Sequence, residues 1–224
     1  MKRLGPRRLA SRNTAWWRSN APESSKMDKA KLENIQVLGA NLSNVLNAFG
    51  SFQLLASRIM LEEGLGAESA EGIVQFERDR WYPVARWLAT FERIGREYGE
   101  SMLGQVGLAV PKNAIFPPFV TDIDSALKSI DIAYHMNHAL DGEAMFSPTT
   151  GNMLEGIGHY GYMRVPGKKQ IIAECTNPYP CPFDLGLIQA MAQRFESTAT
   201  VTHDPTKPCR KQGGASCTYI VKWV

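Results

Sequence analysis

The stretch HYGYMRVPGKKQIIAEC, residues 159–175, contains the clearest short-range folding signal in the chain. Two extended runs flank Pro166-Gly167, a dipeptide typical of tight turns, so the stretch predicts a β-hairpin. Residues 198–203 and 217–224 predict two further strands, and residues 183–195 carry apolar side chains at helical spacing. The C-terminal third therefore predicts an antiparallel sheet with one embedded helix.

The region before the hairpin has the three- and four-residue apolar spacing of amphipathic helices. The predicted helices cover residues 28–49, 52–63, 81–99, 101–108 and 121–140. Helices followed by an antiparallel sheet favour an α+β fold, in which the N-terminal helices pack on the C-terminal sheet.

We expect three parts along the chain. Residues 1–26 have no sustained apolar period and predict a disordered basic tail, a targeting segment or a misassigned translation start. Residues 27–84 predict a helical extension that could dimerise by side-by-side packing. Residues 85–224 predict a ligand-binding domain.

Charge is unevenly distributed along the sequence. Residues 1–18 contain six basic side chains and no acid, and the remainder carries a formal charge of −3. A mildly acidic body argues against nucleic acid as a partner. No run of about 18 apolar residues is present, which predicts no membrane span. We expect a cytoplasmic protein.

All four cysteines lie within the last 50 residues, at Cys175, Cys181, Cys209 and Cys217. The spacings C-x5-C and C-x7-C leave three interpretations open: a structural zinc site, two disulfides, or unpaired thiols. His203 lies close to the second pair and could replace one thiolate as a metal ligand.

The segment CRKQGGASCTYIV, residues 209–221, resembles the closing segment of 4-vinyl reductase-type domains. Glu174-Cys175 resembles the upstream cysteine of the zinc-binding members. The resemblance follows the element order over residues 85–224 and is specific at 174–181 and 203–223. The wider superfamily includes haem-nitric-oxide-binding domains and subunits of trafficking complexes.

This resemblance implies a module that binds a small apolar or aromatic molecule. In phenol-responsive activators, such a domain binds an aromatic effector and a structural zinc. Carried over to this chain, Cys175, Cys209 and Cys217 match three zinc ligands. The fourth ligand position holds Thr206 instead of Glu, so Cys181 or His203 would have to take its place.

Haem would need an axial ligand, and His135 and His138 on a predicted helix are the candidates. The haem-binding relatives also carry a Tyr-x-Ser-x-Arg motif. Tyr162-Met-Arg164 does not reproduce that motif. We therefore expect zinc as the candidate cofactor and do not expect haem.

The predicted ligand pocket lies between the helices and the sheet, where aromatic and methionine side chains can line an apolar cavity. The candidate ligand-binding residues are Trp87, Phe91, Phe116, Tyr134 and Met136.

The sequence lacks the common phosphate-binding, nucleophile-elbow and metalloprotease motifs. We therefore expect a non-enzymatic sensor or carrier, acting as a homodimer through a partner protein. Three alternatives stay open: a reductase-like accessory enzyme in tetrapyrrole metabolism, a haem-based gas sensor, and a structural interaction subunit.

Overall fold

The computed structural model describes residues 32–224, and the predicted basic tail at residues 1–26 lies outside them. The helices are α1 (Gly39–Ala48), α2 (Gln53–Glu62), α3 (Val84–Tyr98), α4 (Glu100–Ala109), α5 (Ile123–Met136) and α6 (Cys181–Gln193). The strands are β1 (Ile35–Leu38), β2 (Ala67–Glu68), β3 (Val74–Gln75), β4 (Trp81–Pro83), β5 (His138–Leu140), β6 (Glu143–Ala144), β7 (Met163–Arg164), β8 (Gln170–Cys175), β9 (Thr200–His203) and β10 (Cys217–Lys222). This combination of helices with antiparallel strands confirms the α+β prediction. None of the described helices is long and apolar enough to cross a lipid bilayer.

The C-terminal sheet has the strand order β7-β8-β10-β9, and all of its pairs are antiparallel. The predicted hairpin is present, although only two residues of its first strand pair in the ladder. Strand β10 lies between β8 and β9, so Cys217 stands directly opposite Cys175. The end of the hairpin and the terminal strand therefore meet in space.

A second antiparallel sheet, of order β4-β1-β5-β6, was not predicted. The predicted helix 28–49 is wrong at Ile35–Leu38, which forms the central strand β1 between β4 and β5. Ile35 and Val37 are buried and alternate with less buried neighbours, which is the two-residue period of a strand. Pairing on both edges overrides the helical spacing of these residues. Likewise, the first residues of the predicted helix 81–99 form β4, and the last residues of the predicted helix 121–140 form β5.

Helix α5 begins at a reciprocal cap between Asp122 and Ser125. The carboxylate of Asp122 accepts the backbone N–H of Ser125 at 2.7 Å, and the Ser125 hydroxyl accepts the N–H of Asp122 at 3.0 Å. The predicted helix 121–140 therefore begins at Ile123, directly after this cap. This cap sets where α5 begins and so which of its residues face the interior.

Helices α4 and α6 pack closely because glycines line their contact. A Cβ atom added to Gly107 would overlap the carbonyl oxygen of Phe183, and one added to Gly186 would overlap the carbonyl oxygen of Gly104. Only glycine permits this approach of two backbones. The contact places the first residue of α6, Cys181, beside the end of the C-terminal sheet.

Candidate functional site

An aromatic cluster occupies the interior between α3, α5 and the start of α6. The rings of Trp87 and Phe91 have centroids 4.4 Å apart and are fully buried. The ring of Tyr179 lies 5.7 Å from Phe91 and 5.8 Å from Tyr134. The structure thus brings Trp87, Phe91 and Tyr134, three of the predicted ligand-binding residues, into one cluster. Tyr179, which the sequence analysis did not single out, lies between Phe91 and Tyr134 and contacts both.

The other two predicted lining residues lie outside this cluster. Met136 is two positions after Tyr134 on α5, which turns it to the far side of the helix, and 42% of it is exposed. The ring of Phe116 lies under the guanidinium of Arg194 at 4.1 Å.

His138 is a buried histidine whose two ring nitrogens both have partners. Its Nδ1 donates to the carbonyl oxygen of Tyr134 at 2.7 Å, and its Nε2 accepts the hydroxyl of Tyr179 at 2.8 Å. Burial lowers the pKa of His138 to about 4. This imidazole is therefore neutral at physiological pH and links α5 to the aromatic cluster.

His135 is the next-to-last residue of α5 and is also fully buried. Its Nδ1 donates to the carbonyl oxygen of Asp131 at 2.8 Å, because a carbonyl can only accept. Within the described chain, its Nε2 has no hydrogen-bond partner. The ring therefore presents a buried nitrogen that no other group of the described chain occupies, and an imidazole nitrogen is a common metal ligand.

Asp131 also contacts a second histidine, His159, which lies beside His135. One carboxylate oxygen of Asp131 accepts the backbone N–H of Tyr160 at 2.8 Å, and the other bonds Nδ1 of His159 at 3.0 Å. The rings of His135 and His159 have centroids 4.8 Å apart. Asp131, His135 and His159 each offer a ligand atom within 4.8 Å of the others, so this group could hold a metal ion.

Three of the four cysteines form a compact thiol cluster, which we define as Cys181, Cys209 and Cys217. The Sγ atoms of Cys181 and Cys217 are 3.1 Å apart, and Cys209 Sγ lies 3.7 Å from each of them. Cys181 begins α6, whereas Cys217 begins β10 and is fully buried.

Two of the predicted metal-site residues stand apart from this thiol cluster. Cys175 is buried in β8, and it is outside the group of ligand atoms that lie within 4.8 Å of one another. His203 is outside that group too, although its buried Nε2 has no hydrogen-bond partner within residues 32–224. The assignment of these cysteines as metal ligands stays a prediction.

A buried ionic network connects the thiol cluster to the hairpin. The guanidinium of Arg210 pairs with the carboxylate of Asp184, donates to Oδ1 of Asn177 at 2.8 Å, and donates from Nε to Cys217 Sγ at 3.4 Å. Asp184 also accepts the hydroxyl of Tyr160 at 2.6 Å. Burial raises the pKa of Asp184 to about 6 in spite of Arg210.

Sequence reasoning missed Asp184 and Tyr179, which join the separate parts of this interior. The signal for Asp184 was an acid in the first turn of the otherwise apolar helix α6. The signal for Tyr179 was weaker, because it lies in a proline-rich connection that has no period.

The sequence matches no known family model and no curated protein. Solved structures do match the arrangement of helices and sheets. The fold is that of H-NOX domains. An H-NOX protein from Shewanella oneidensis in the Fe(II) ligation state has a TM-score of 0.55 and 14% identity, over 84% of this chain and 96% of that chain.

Two further H-NOX structures support this similarity. One, studied for haem distortion in the H-NOX family, has a TM-score of 0.58 and 13% identity, over 83% of this chain and 94% of that chain. The other is an oxygen-binding H-NOX domain related to soluble guanylate cyclases, with a TM-score of 0.55 and 12% identity over the same shares. At such identities the similarity establishes the fold alone. It agrees with the fold that the resemblance implied, whereas the 4-vinyl reductase-type assignment stays a prediction.

The cofactor expectations from the sequence need correction. The expectation that haem is unlikely is contradicted by the H-NOX neighbours, which are haem-binding domains. The zinc expectation finds no support in them. The sequence expectation rested on the missing Tyr-x-Ser-x-Arg motif, a feature of the site, whereas the comparison rests on the fold.

Proposed function

We propose that this chain is a small-molecule-binding sensor domain whose ligand is haem, with His135 as the axial ligand. The observation that carries the proposal is the buried Nε2 of His135, which has no partner in the described part of the chain. An unsatisfied buried nitrogen costs stability, so it calls for a partner that the protein alone does not supply.

The surroundings of His135 fit the donor chemistry of a haem ligand. The carbonyl oxygen of Asp131 holds the Nδ1–H at 2.8 Å, which fixes the ring orientation and the tautomer. Second partners of this kind are typical of metal-ligating histidines, and they make the ligating nitrogen more basic. His138 does not fit this role, because its Nε2 already accepts the hydroxyl of Tyr179.

When bound, haem would supply an iron to which diatomic gases bind. The residues of this chain would orient the ligand and exclude water. The rings of Tyr134 and His159 lie 5.2 and 4.8 Å from the ring of His135, so the interior around it is filled by side chains. We therefore expect haem binding to displace aromatic packing around α5.

A second candidate is an apolar or aromatic effector, as the resemblance to 4-vinyl reductase-type domains implies. The buried cluster that contains Trp87, Phe91 and Tyr134 supports this candidate, because aromatic side chains line many small-molecule sites. Homodimerisation, an output partner and a cytoplasmic location stay predictions under either ligand.

Haem titration of the full chain tests the proposal. We expect the purified protein to bind one equivalent of added haem and to show a Soret band in its absorbance spectrum. His135→Gly should weaken binding at least about tenfold, since ligand loss removes the axial bond, and added imidazole should restore the band.

His203→Ala is the matched control, because His203 also has a buried unpartnered Nε2 but lies on β9. It should bind haem as the parent does. Failure of the parent chain to form a one-to-one complex, or equal binding by His135→Gly, would overturn the haem proposal. Native mass spectrometry of the purified protein would then identify any retained aromatic effector.

A further inference from the structure

An exposed apolar loop leads from α4 to α5. Its sequence is AIFPPF, residues 114–119, and it follows the short 3-10 helix Val110–Asn113. Ile115 is 98% exposed and Phe119 is 60% exposed. No other large apolar side chain in the described part of the chain is as exposed as Ile115. Apolar side chains gathered in one exposed loop indicate a surface that contacts something apolar.

The backbone of this loop presents few hydrogen-bond donors to its surroundings. Pro117 and Pro118 have no N–H group, and the N–H of Val120 donates to the carbonyl oxygen of Pro117 at 3.0 Å. This bond closes a turn with Pro118 at its second position, where proline is favoured. Unpaired N–H groups are costly in hydrocarbon. The loop can therefore enter a lipid surface more readily than an ordinary polar loop.

Two basic side chains stand beside the loop. Lys112 precedes it by two positions and is exposed. The guanidinium of Arg194, which is also exposed, lies 4.1 Å from the centre of the Phe116 ring. Asp122 follows the loop, and its carboxylate is bonded within the cap of α5. Lys112 and Arg194 are thus placed where lipid phosphate groups would meet the base of an inserted loop.

The N-terminal part of the sequence favours the same partner. Residues 1–18 contain six basic side chains and no acid. Basic segments attract anionic lipids, and one shallow apolar contact combined with such a segment gives stable membrane attachment. A protein partner is less favoured, because six loop residues offer well under the roughly 800 Å² that each side of a standard protein interface buries.

We propose that residues 114–119 insert into the surface of an anionic lipid bilayer. Ile115 and Phe119 enter the boundary between headgroups and acyl chains, where the remaining N–H groups of the loop can bond headgroup oxygens and water. Lys112 and Arg194 contact the lipid phosphates, and residues 1–18 add attraction that does not depend on insertion. This inference is independent of haem binding, because His135 lies near the opposite end of α5.

Co-sedimentation of the full chain with vesicles tests the proposal. We expect it to bind phosphatidylcholine vesicles that contain about 30% phosphatidylserine at least about tenfold more tightly than vesicles of phosphatidylcholine alone. Ile115→Ser/Phe119→Ser should weaken binding to the anionic vesicles at least about tenfold, because two apolar contacts are lost while every charge stays. Both side chains are exposed, so thermal unfolding of this variant should match that of the parent.

Phe52→Ser/Leu54→Ser is the matched control. These two side chains are 54% and 60% exposed, and Leu54 lines a separate groove with Glu62 and Gly72. The control variant should bind the anionic vesicles within about twofold of the parent, because its substitutions remove no contact with the bilayer. No binding by the parent, or equal losses in the two variants, would overturn the proposal.

Insertion itself needs a readout that charge alone does not change. Ile115→Trp adds an indole to the loop, and lipids brominated in the upper part of their acyl chains should quench its added fluorescence when vesicles bind. Leu54→Trp should show no such quenching. Vesicle binding without quenching at position 115 would show that basic residues alone attract the lipid, and insertion of the loop would then be wrong.

Discussion

The histidines at the junction of α5 and β5 and the Asp184–Arg210 network satisfy buried polar groups in different ways. His138 is neutral and has a partner on each ring nitrogen, and His135 beside it has only one. In the second region, Asp184 and Arg210 are charged groups that are paired with each other. Both regions are buried, and each leaves one nitrogen without a partner in the described chain, namely Nε2 of His135 and the side-chain amide nitrogen of Asn177. Only the first of these belongs to a group that can ligate a metal.

This difference distinguishes buried groups that hold the fold together from a buried group that is available to a ligand. A charged pair that is fully bonded holds β10, α6 and the hairpin in register, and removing one member leaves a charge stranded in the interior. A half-satisfied imidazole contributes little to folding and is therefore available to a ligand. Substitutions in the two regions should accordingly differ in their effects on the free energy of unfolding.

The largest expected effect follows from Arg210→Met. Without the guanidinium, Asp184 is left buried and unpaired, which should cost about 3–5 kcal/mol of unfolding free energy. Urea unfolding at pH 7 measures the change. Arg194→Met is the control, because Arg194 is exposed, and it should cost under about 1 kcal/mol. Similar losses in both variants would contradict the structural role of the network.

The next effect concerns pH. The pKa of His138 falls from 6.5 to about 4 on folding, so its contribution is present above pH 6.5 and is lost as pH falls through 4. The pKa of Asp184 rises from 3.8 to about 6, so its contribution is present below pH 3.8 and is lost as pH rises through 6. The two contributions, each about 3 kcal/mol, oppose one another between pH 4 and 6.

Asp184→Asn removes the pH-dependent contribution of Asp184 and leaves that of His138. The free energy of unfolding should then drop by about 3 kcal/mol more than in the parent chain as pH falls from 6.5 to 4. Denaturant unfolding at a series of pH values measures the slope. Asp204→Asn provides the control, because hydrogen bonds from Thr206 lower the pKa of Asp204 and keep its titration below this window. A slope that Asp184→Asn leaves unchanged would show that Asp184 does not titrate as described.

The smallest effect compares the two histidines directly. His138→Leu leaves the carbonyl of Tyr134 and the hydroxyl of Tyr179 without partners, which should cost about 2–3 kcal/mol. His135→Leu removes one hydrogen bond, from Nδ1 to the carbonyl of Asp131, together with a buried nitrogen that had no partner, so the loss and the gain offset and the unfolding free energy should change by less than about 1 kcal/mol. Thermal unfolding should show a clearly lower Tm for the first variant only. A larger loss in His135→Leu would contradict our functional interpretation of His135.

The elements that the sequence predicted well are those whose partners are local. The hairpin around Pro166-Gly167 and helix α6 both have their sequence signal in neighbouring residues. Strand β1 was missed because its apolar spacing suits a helix, and only pairing with the distant Trp81–Pro83 and His138–Leu140 makes it extended. Contacts over about 50 and 100 residues leave no local pattern.

The candidate site was predicted in its residue types more than in its geometry. The sequence singled out His135, His138 and the four cysteines, but it could not distinguish the satisfied histidine from the unsatisfied one. That distinction depends on Tyr179, which lies 41 residues after His138 in the chain. The position of Cys175 outside the thiol cluster, although Cys175 stands opposite Cys217 in the sheet, likewise has no signal in the sequence.

Hydrophobic period and turn chemistry determined the α+β class and the C-terminal hairpin. The sequence also shows directly that the four cysteines lie within its last 50 residues. Tertiary structure alone decided the second sheet, the pairing of Arg210 with Asp184 and the isolation of the His135 Nε2. The reason is physical: periodicity reports which side of an element faces inward, whereas hydrogen bonding of a buried group depends on what the rest of the chain places beside it.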